Sequence, residues 1–205
     1  MLNSLIALDQ RLFMFLNGEL TNGFFDWFMP FITDAKTWLP FVLLAWFLII
    51  CRGGKRLRVL ALALLLSVGG TDLFCARVVK KAVGRVRPCS LEQTDSFRCR
   101  LLLPVKTSKS FPSNHSANTA AFAVVTLMIC GFKAGLPMLL LAFLIGYSRI
   151  YVGVHFPLDV VAGWLFGALI AWLITRLILA RADLQECVSQ TEPPSTAKAA
   201  ADKTS

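Results

Sequence analysis

Five uncharged stretches, residues 37–51, 59–71, 116–132, 134–148 and 160–175, dominate this chain of 205 residues. Each falls a little short of the ~20 residues that cross ~30 Å of hydrocarbon, and each reaches that length once its polar flanks extend the helix. A water-soluble fold of this size alternates apolar and polar faces instead. With 56% hydrophobic and only 16% charged residues, the chain has too little polar surface to cover five such helices in water. The expected fold is an all-α integral membrane protein, a bundle of about five transmembrane helices.

The ends read differently from the middle. Residues 1–23 contain Asp9, Arg11 and Glu19 and lack the basic start and unbroken apolar core of a cleavable signal peptide. In LIALDQRLFMFLN, Leu5, Leu8, Leu12, Phe15 and Leu16 recur at helical spacing with Asp9 and Gln10 on another face, the pattern of a helix lying in the membrane interface. GFFDWFMPFITD reads as a second interfacial or half-inserted segment broken at Pro30. The expected division is therefore an N-terminal interfacial or half-inserted segment over 1–36, a transmembrane domain over 37–181, and a disordered cytoplasmic tail over 182–205. The tail is rich in Ser, Thr, Ala and Pro and has no aromatic residue.

Folding the five runs up and down fixes which loops share a side. RGGKRLR joins the first two runs on one side, which puts loop 80–112, between the second and third, on the other. The short turn GFKAG then returns the fourth run to the side of that loop. This parity alone brings Lys80, Arg87, Ser113, His115, Arg149, His155 and Asp159 to one membrane face.

Each cluster admits a chemical and a plain reading. Lys80, Gly84 and Arg87 at i, i+4 and i+7 form one helical stripe that Pro88 then discourages from continuing. Such a stripe is an anion grip, the Arg fork matching phosphate oxygens, or else a basic collar snorkelling at a helix end. Ser113 is placed as an N-cap whose helix start, with His115 in the first turn, favours an anion. The alternative is a capped helix with an interfacial His. His155 and Asp159 stand four apart, so the carboxylate can hold one imidazole nitrogen and leave the other free to attack. They can equally be an Arg149–Asp159 pair with an incidental His. Ionisable groups at membrane depth are expensive to bury unpaired, which favours function.

Taken together, Lys80-x6-Arg87-Pro88, Pro112-Ser113-Asn114-His115 and Ser148-Arg149-x5-His155-x3-Asp159 resemble the three-part signature of the type 2 phosphatidic acid phosphatase (PAP2) superfamily, over roughly residues 59–178. The resemblance implies a membrane lipid phosphatase that needs no metal or cofactor. It implies His155 as the nucleophile forming a phosphohistidine, Asp159 orienting it, and His115 protonating the leaving oxygen and then activating water. Lys80, Arg87, Ser113, Asn114 and Arg149 would hold the phosphoryl oxygens. The middle motif usually has Gly where this chain has Asn114. The backbone N–H survives that change and is the expected contact; the alternative is a side chain that crowds or hydrogen-bonds the substrate. Among the substrates the resemblance allows, an undecaprenyl-type diphosphate is the first expectation; lipid A 1-phosphate, phosphatidylglycerol phosphate and phosphatidic acid remain open.

RGGKRLR carries four positive charges in seven residues and no other evident role, so the positive-inside rule makes it cytoplasmic and the site extracytoplasmic, in a bacterial inner membrane. Loop 80–112 itself carries eight Lys or Arg, which pulls the opposite way unless they form a mouth for anionic headgroups. Of six cysteines only Cys89 and Cys99 lie in that loop, a candidate disulfide in an oxidising compartment. No metal-ligand spacing is present. The net charge of +9 clusters at helix ends, so the expected partners are the bilayer and a lipid phosphate rather than nucleic acid. An ion-relay transporter would place its charges near helix centres, whereas these sit at the ends. An inactive lipid-binding relative would lack a catalytic position, whereas all are filled.

Overall fold

The computed structural model describes residues 2–94 and 96–182; its regular structure is helical, with no strand among the described residues. Helices α1 (Leu2–Met14) and α2 (Gly23–Thr33) are joined by a π-helical turn at Phe15–Glu19. Helix α3 (Ala35–Arg52) precedes α4 (Lys55–Phe74), which runs on through a π-helical turn at Cys75–Val79 into the short α5 (Lys80–Val83). Then come α6 (Asn114–Cys130), α7 (Phe132–Tyr151) and α8 (Pro157–Arg181). The chain is an integral membrane protein. Four of the helical stretches, Ala35–Arg52, Lys55–Val83, Phe132–Tyr151 and Pro157–Arg181, are long and apolar enough to cross a bilayer. The fifth, α6, has 17 residues and is the central helix, packed against α4, α7 and α8. The disordered tail expected over 182–205 lies, from residue 183 on, outside the described residues.

Small residues explain the central packing. On α8, Gly163 and Gly167 stand one turn apart; a Cβ at Gly163 would sit 2.6 Å from the Ser113 carbonyl oxygen, and one at Gly167 would strike the Ala117 backbone. Ala117, Ala120, Ala121 and Ala123 line α6 in the interior. Without a hydrophobic force between helices in lipid, close backbone approach through such residues supplies the attraction. Away from the site, Leu60, Ala63 and Leu64 of α4 pack on Ala121, Val125 and Ile129 of α6 and Ala171 of α8. Helix α3 buries none of its residues and touches α4 through Trp46, whose Nε1 donates to the Ala61 carbonyl at 3.0 Å. Its Phe41, Leu44 and Phe47 are surface that only lipid can cover.

Two local expectations are corrected. Helix α2 is not broken at Pro30 but passes through it and ends at Thr33. Proline removes one N–H from the ladder, and packing of Met29, Phe25, Phe28 and Ile32 against Tyr151, Val152 and Val154 holds the helix together. Nor do Lys80, Gly84 and Arg87 share a helical stripe. The helix ends at Val83, Gly84 takes φ 64° as its left-handed cap, and Arg87 is extended at φ −75°, ψ 154°. Glycine accepts that cap at no steric cost, so the chain turns before Pro88 forces it to.

Helix α1 has its polar side turned inward. Asp9, Phe13 and Asn17, spaced four apart, are buried, while Leu5, Leu8, Leu12 and Phe15 are exposed. In lipid the apolar stripe is the outer face, and the polar groups seek partners inside. Asn17 makes those partnerships: its Nδ2 donates to the carbonyls of Tyr151 (2.7 Å) and Arg100 (2.9 Å), and its Oδ1 accepts from Arg100 N (2.8 Å). The N-terminal segment is thereby tied to the loops that carry the charged clusters.

Candidate active site

The turn between α7 and α8 presents His155. Helix α7 closes with Val152 N donating to the Ser148 carbonyl, and Gly153 follows at φ 84°. The Arg149 carbonyl then accepts from both Val154 N (3.2 Å) and His155 N (3.3 Å), so the backbone of one motif residue fixes another. Gly153 packs against the Cys89–Cys99 disulfide, whose Cα atoms are 5.3 Å apart; a Cβ there would meet both sulfurs at 3.1 Å and collide with the Arg100 carbonyl. The disulfide therefore joins the loop that follows Arg87 to the loop that carries His155.

The His155 side chain is buried between a cation and a carboxylate. Arg87 NH1 lies 3.1 Å from His155 Nε2 and donates to the Val154 carbonyl at 2.7 Å. A guanidinium can only donate, so Nε2 holds its lone pair and the ring proton is on Nδ1. Nδ1 faces Asp159 Oδ2 at 3.5 Å, long for a hydrogen bond but close enough for the carboxylate to set the tautomer. Burial, with Arg149 and Arg87 nearby, pushes the imidazole down to about 3 against the opposing pull of Asp159. His155 is thus a neutral imidazole with its lone pair on the side of Arg87.

The remaining cations differ in how far the protein occupies them. Arg87 is fully engaged: Nε donates to the Ser108 carbonyl (2.7 Å), NH2 to Ser108 Oγ (3.0 Å) and to the Lys109 carbonyl (3.3 Å). Lys80 Nζ donates to the same Lys109 carbonyl at 3.2 Å. The π-helical turn just before Lys80 inserts an extra residue that re-aims it off the regular helix. Arg149 is only 1% exposed and, among the described residues, donates once, from NH1 to Thr33 Oγ1 at 2.8 Å, with no partner for its Nε or NH2.

Helix α6 brings the second motif. Ser113 is its N-cap, with Oγ accepting from Ser116 N and Oγ, and Ser113 N donates to the Asp159 carbonyl at 2.9 Å. This bond ties the start of α6 to the start of α8. His115, half-buried in the first turn, lies within electrostatic reach of Arg149, Lys106, His155 and Lys80. Asn114 points elsewhere: its Nδ2 donates to Asp72 Oδ1 of α4 at 2.8 Å, and Asn118 Nδ2 reaches the same oxygen at 3.0 Å. The side chain is a strut between α6 and α4, which leaves the backbone N–H as the contact expected of Asn114.

The fold thus brings six of the eight motif residues, Lys80, Arg87, Ser113, Arg149, His155 and Asp159, into one bonded or electrostatically linked group, with His115 beside it. It also adds residues that sequence reasoning missed: Thr33, Ser108, Ser110, Arg85 and Asp9. In the sequence, Asp9 showed only as part of the polar face of the amphipathic first helix. Among the described residues, no group of three His, Cys, Asp or Glu converges as a metal site would require. The group is a cationic cradle around a neutral, carboxylate-backed imidazole, suited to holding an anion while a nitrogen attacks it.

The sequence model of the PAP2 superfamily matches residues 56–183. The chain is 29% identical over 178 residues to a lipid A 4'-phosphatase from Bacteroides thetaiotaomicron, covering 84% of this chain and 78% of that protein. It is 35% identical over 112 residues to an undecaprenyl-diphosphatase from Sulfolobus acidocaldarius, covering 53% of this chain and 54% of that one. Its fold is similar to the transmembrane PAP2-type phosphatidylglycerolphosphate phosphatase from Bacillus subtilis, with TM-score 0.68 and 25% identity over 85% of this chain and 86% of that one.

Proposed function

The chain belongs to the PAP2 superfamily and is a membrane lipid phosphatase, and from that premise we propose that it hydrolyses an undecaprenyl-type diphosphate through a phosphohistidine at His155. Arg149 carries the reading: a buried guanidinium with two nitrogens that no group among the described residues bonds, beside a neutral imidazole. A buried charge without partners is strongly unfavourable, and a phosphoryl group supplies the missing acceptors.

In this mechanism Nε2 of His155 attacks the terminal phosphorus in line, forming the P–N bond as the bond to the leaving oxygen breaks. His115 gives that oxygen its proton, then takes one from the water that cleaves the phosphohistidine. Asp159 stabilises the charge the imidazole gains. Arg149, Lys80 and the Ser113 helix start hold the equatorial oxygens, and Arg87 turns its N–H from Nε2 to the phosphoryl group.

Charge favours a diphosphate. Lys80, Arg87 and Arg149 converge at the site and Lys106 lies within electrostatic reach of the last two, a set suited to more negative charge than one phosphomonoester carries. A second reading, a lipid A phosphate, is favoured by the extent of the alignment to the lipid A 4'-phosphatase, which spans most of the chain where the undecaprenyl-diphosphatase match spans half. Phosphate release from purified protein separates them across undecaprenyl diphosphate, lipid A, phosphatidylglycerol phosphate and phosphatidic acid. The expected result is the highest kcat/KM on the isoprenoid diphosphate, persisting in excess EDTA and inhibited by vanadate. Activity lost in chelator and restored by magnesium would overturn the mechanism; a preference for lipid A would select the second reading.

We place the site on the extracytoplasmic face of an inner membrane, supported by the basic RGGKRLR turn on the opposite side and by the disulfide in the site-side loop. In native membranes Cys89 and Cys99 are expected to resist alkylation until a reductant is added. Immediate labelling of both would rule out the disulfide in the membrane and remove it as support for the placement.

A further inference from the structure

Asp159 is held by more than the histidine it serves. Its Oδ2 accepts from Phe156 N at 2.9 Å and from Ser110 Oγ, and its Oδ1 accepts from Arg85 NH1 at 2.8 Å. Arg85 in turn bonds Asp9 through NH2, and its guanidinium carbon lies 4.1 Å from the centre of the Phe156 ring. The Arg85 carbonyl accepts from Ser110 N at 2.8 Å, so the two residues whose side chains bond Asp159 are also tied to each other through their backbones. Asp9, buried on α1, completes the set by accepting from Leu158 N at 2.9 Å with its other oxygen. Every residue of 156–159 except Pro157 is thus gripped by Arg85 or Asp9.

We infer that Arg85, braced by Asp9 of α1, is a positioning residue that fixes Asp159 and through it the orientation of the His155 imidazole. Neither Arg85 nor Asp9 belongs to the three motifs, and Asp9 lies outside the matched residues 56–183. The physical need is clear from the geometry. Asp159 Oδ2 is already 3.5 Å from Nδ1, so a small rotation of the carboxylate removes its influence on the ring. Arg85 takes Oδ1 and thereby leaves Oδ2 facing the imidazole. Its positive charge alone would cancel the field of Asp159 at His155. Asp9 restores the balance: the set Asp9–Arg85–Asp159 carries one net negative charge, which the imidazolium-like nitrogen needs as the P–N bond forms.

The inference rests on His155 as the nucleophile. The test is steady-state phosphate release by detergent-purified full-length protein on a phosphatidic acid or isoprenoid diphosphate substrate, comparing Arg85→Ala, Arg85→Lys, Asp9→Asn and His155→Ala. Groups that orient an active-site residue typically contribute about 10- to 100-fold. Arg85→Ala is expected to lose about that much in kcat with KM within about threefold, since it does not touch the phosphoryl group. Arg85→Lys, which keeps a charge on Asp159, should recover most of the loss. Asp9→Asn keeps the acceptor for Leu158 N but removes the charge, and should lower kcat several-fold at constant KM. Should Arg85→Ala fail to fold, the Lys and Asp9 variants carry the same comparison. A kcat at parental level in Arg85→Lys and Asp9→Asn together with Arg85→Ala unfolded or equally active would show a purely structural role and overturn the inference. Turnover surviving in His155→Ala would instead remove the nucleophile reading beneath it, so the two failures are distinguishable.

Discussion

His155→Ala is expected to abolish phosphate release, by about 10⁴-fold or more, while the protein remains folded and inserted in the membrane. Removing a covalent nucleophile eliminates the intermediate rather than weakening one contact, which is why such losses exceed those of any single hydrogen bond. His155 is 2% exposed, and the other partners of Arg87 among the described residues are the Val154, Ser108 and Lys109 carbonyls and the Ser108 hydroxyl. The measurement is turnover together with acid-labile labelling from a ³²P-labelled substrate, which the parent should show and the variant should lack. Retention of more than a few per cent of parental turnover would sink the assignment. The same variant carries a stability signature. Because the folded protein keeps the imidazole neutral, with a pKa near 3 against an ordinary 6.5, protonation favours the unfolded chain. That contribution is fully present above pH 6.5 and is lost as pH falls toward 3. His155→Ala should therefore lose less stability than the parent across that window.

Arg149→Lys is expected to lower kcat/KM by about 10²- to 10³-fold, the range for deleting a preorganised donor to a developing anion. A lysine keeps the charge but not the planar fork, so it can meet one phosphoryl oxygen where Nε and NH2 of Arg149 meet two. The opposite sign is expected for stability. Arg149 is buried with one bond, to Thr33, and among the described residues no group bonds its Nε or NH2; in the proposed mechanism the substrate supplies the missing acceptors. Arg149→Met, of similar volume, should therefore be inactive yet melt no lower than the parent, since replacing an unsatisfied buried ion by an apolar side chain is often neutral or stabilising. Kinetics and a detergent melting curve on the same preparations read both effects. A kcat/KM within threefold of the parent in Arg149→Lys would remove Arg149 from the phosphoryl site.

The five uncharged runs, their parity and the three charged clusters were all legible in the residues, because each depends only on local composition and on the order of elements along the chain. Length and hydropathy determine a spanning helix, and alternation of direction determines which loops meet. The same local rules failed where a long-range partner decides the outcome. Arg87 looked like the third position of a helical stripe, but Gly84 stops the helix and Ser108, Lys109 and Val154, from distant segments, collect the guanidinium. In the sequence the Asn114 side chain was as free to meet the substrate as its backbone N–H, and Asp72 on another helix claims the side chain. Asp9 looked like the wet side of a surface helix and is the inward side, because in lipid it is the polar group that must find a protein partner. Residue type and spacing therefore determined which chemistry this chain carries. Only the tertiary structure decided which cation keeps unbonded nitrogens and which is already engaged among the described residues, since a hydrogen bond between residues 76 or 116 positions apart leaves no periodicity in the sequence.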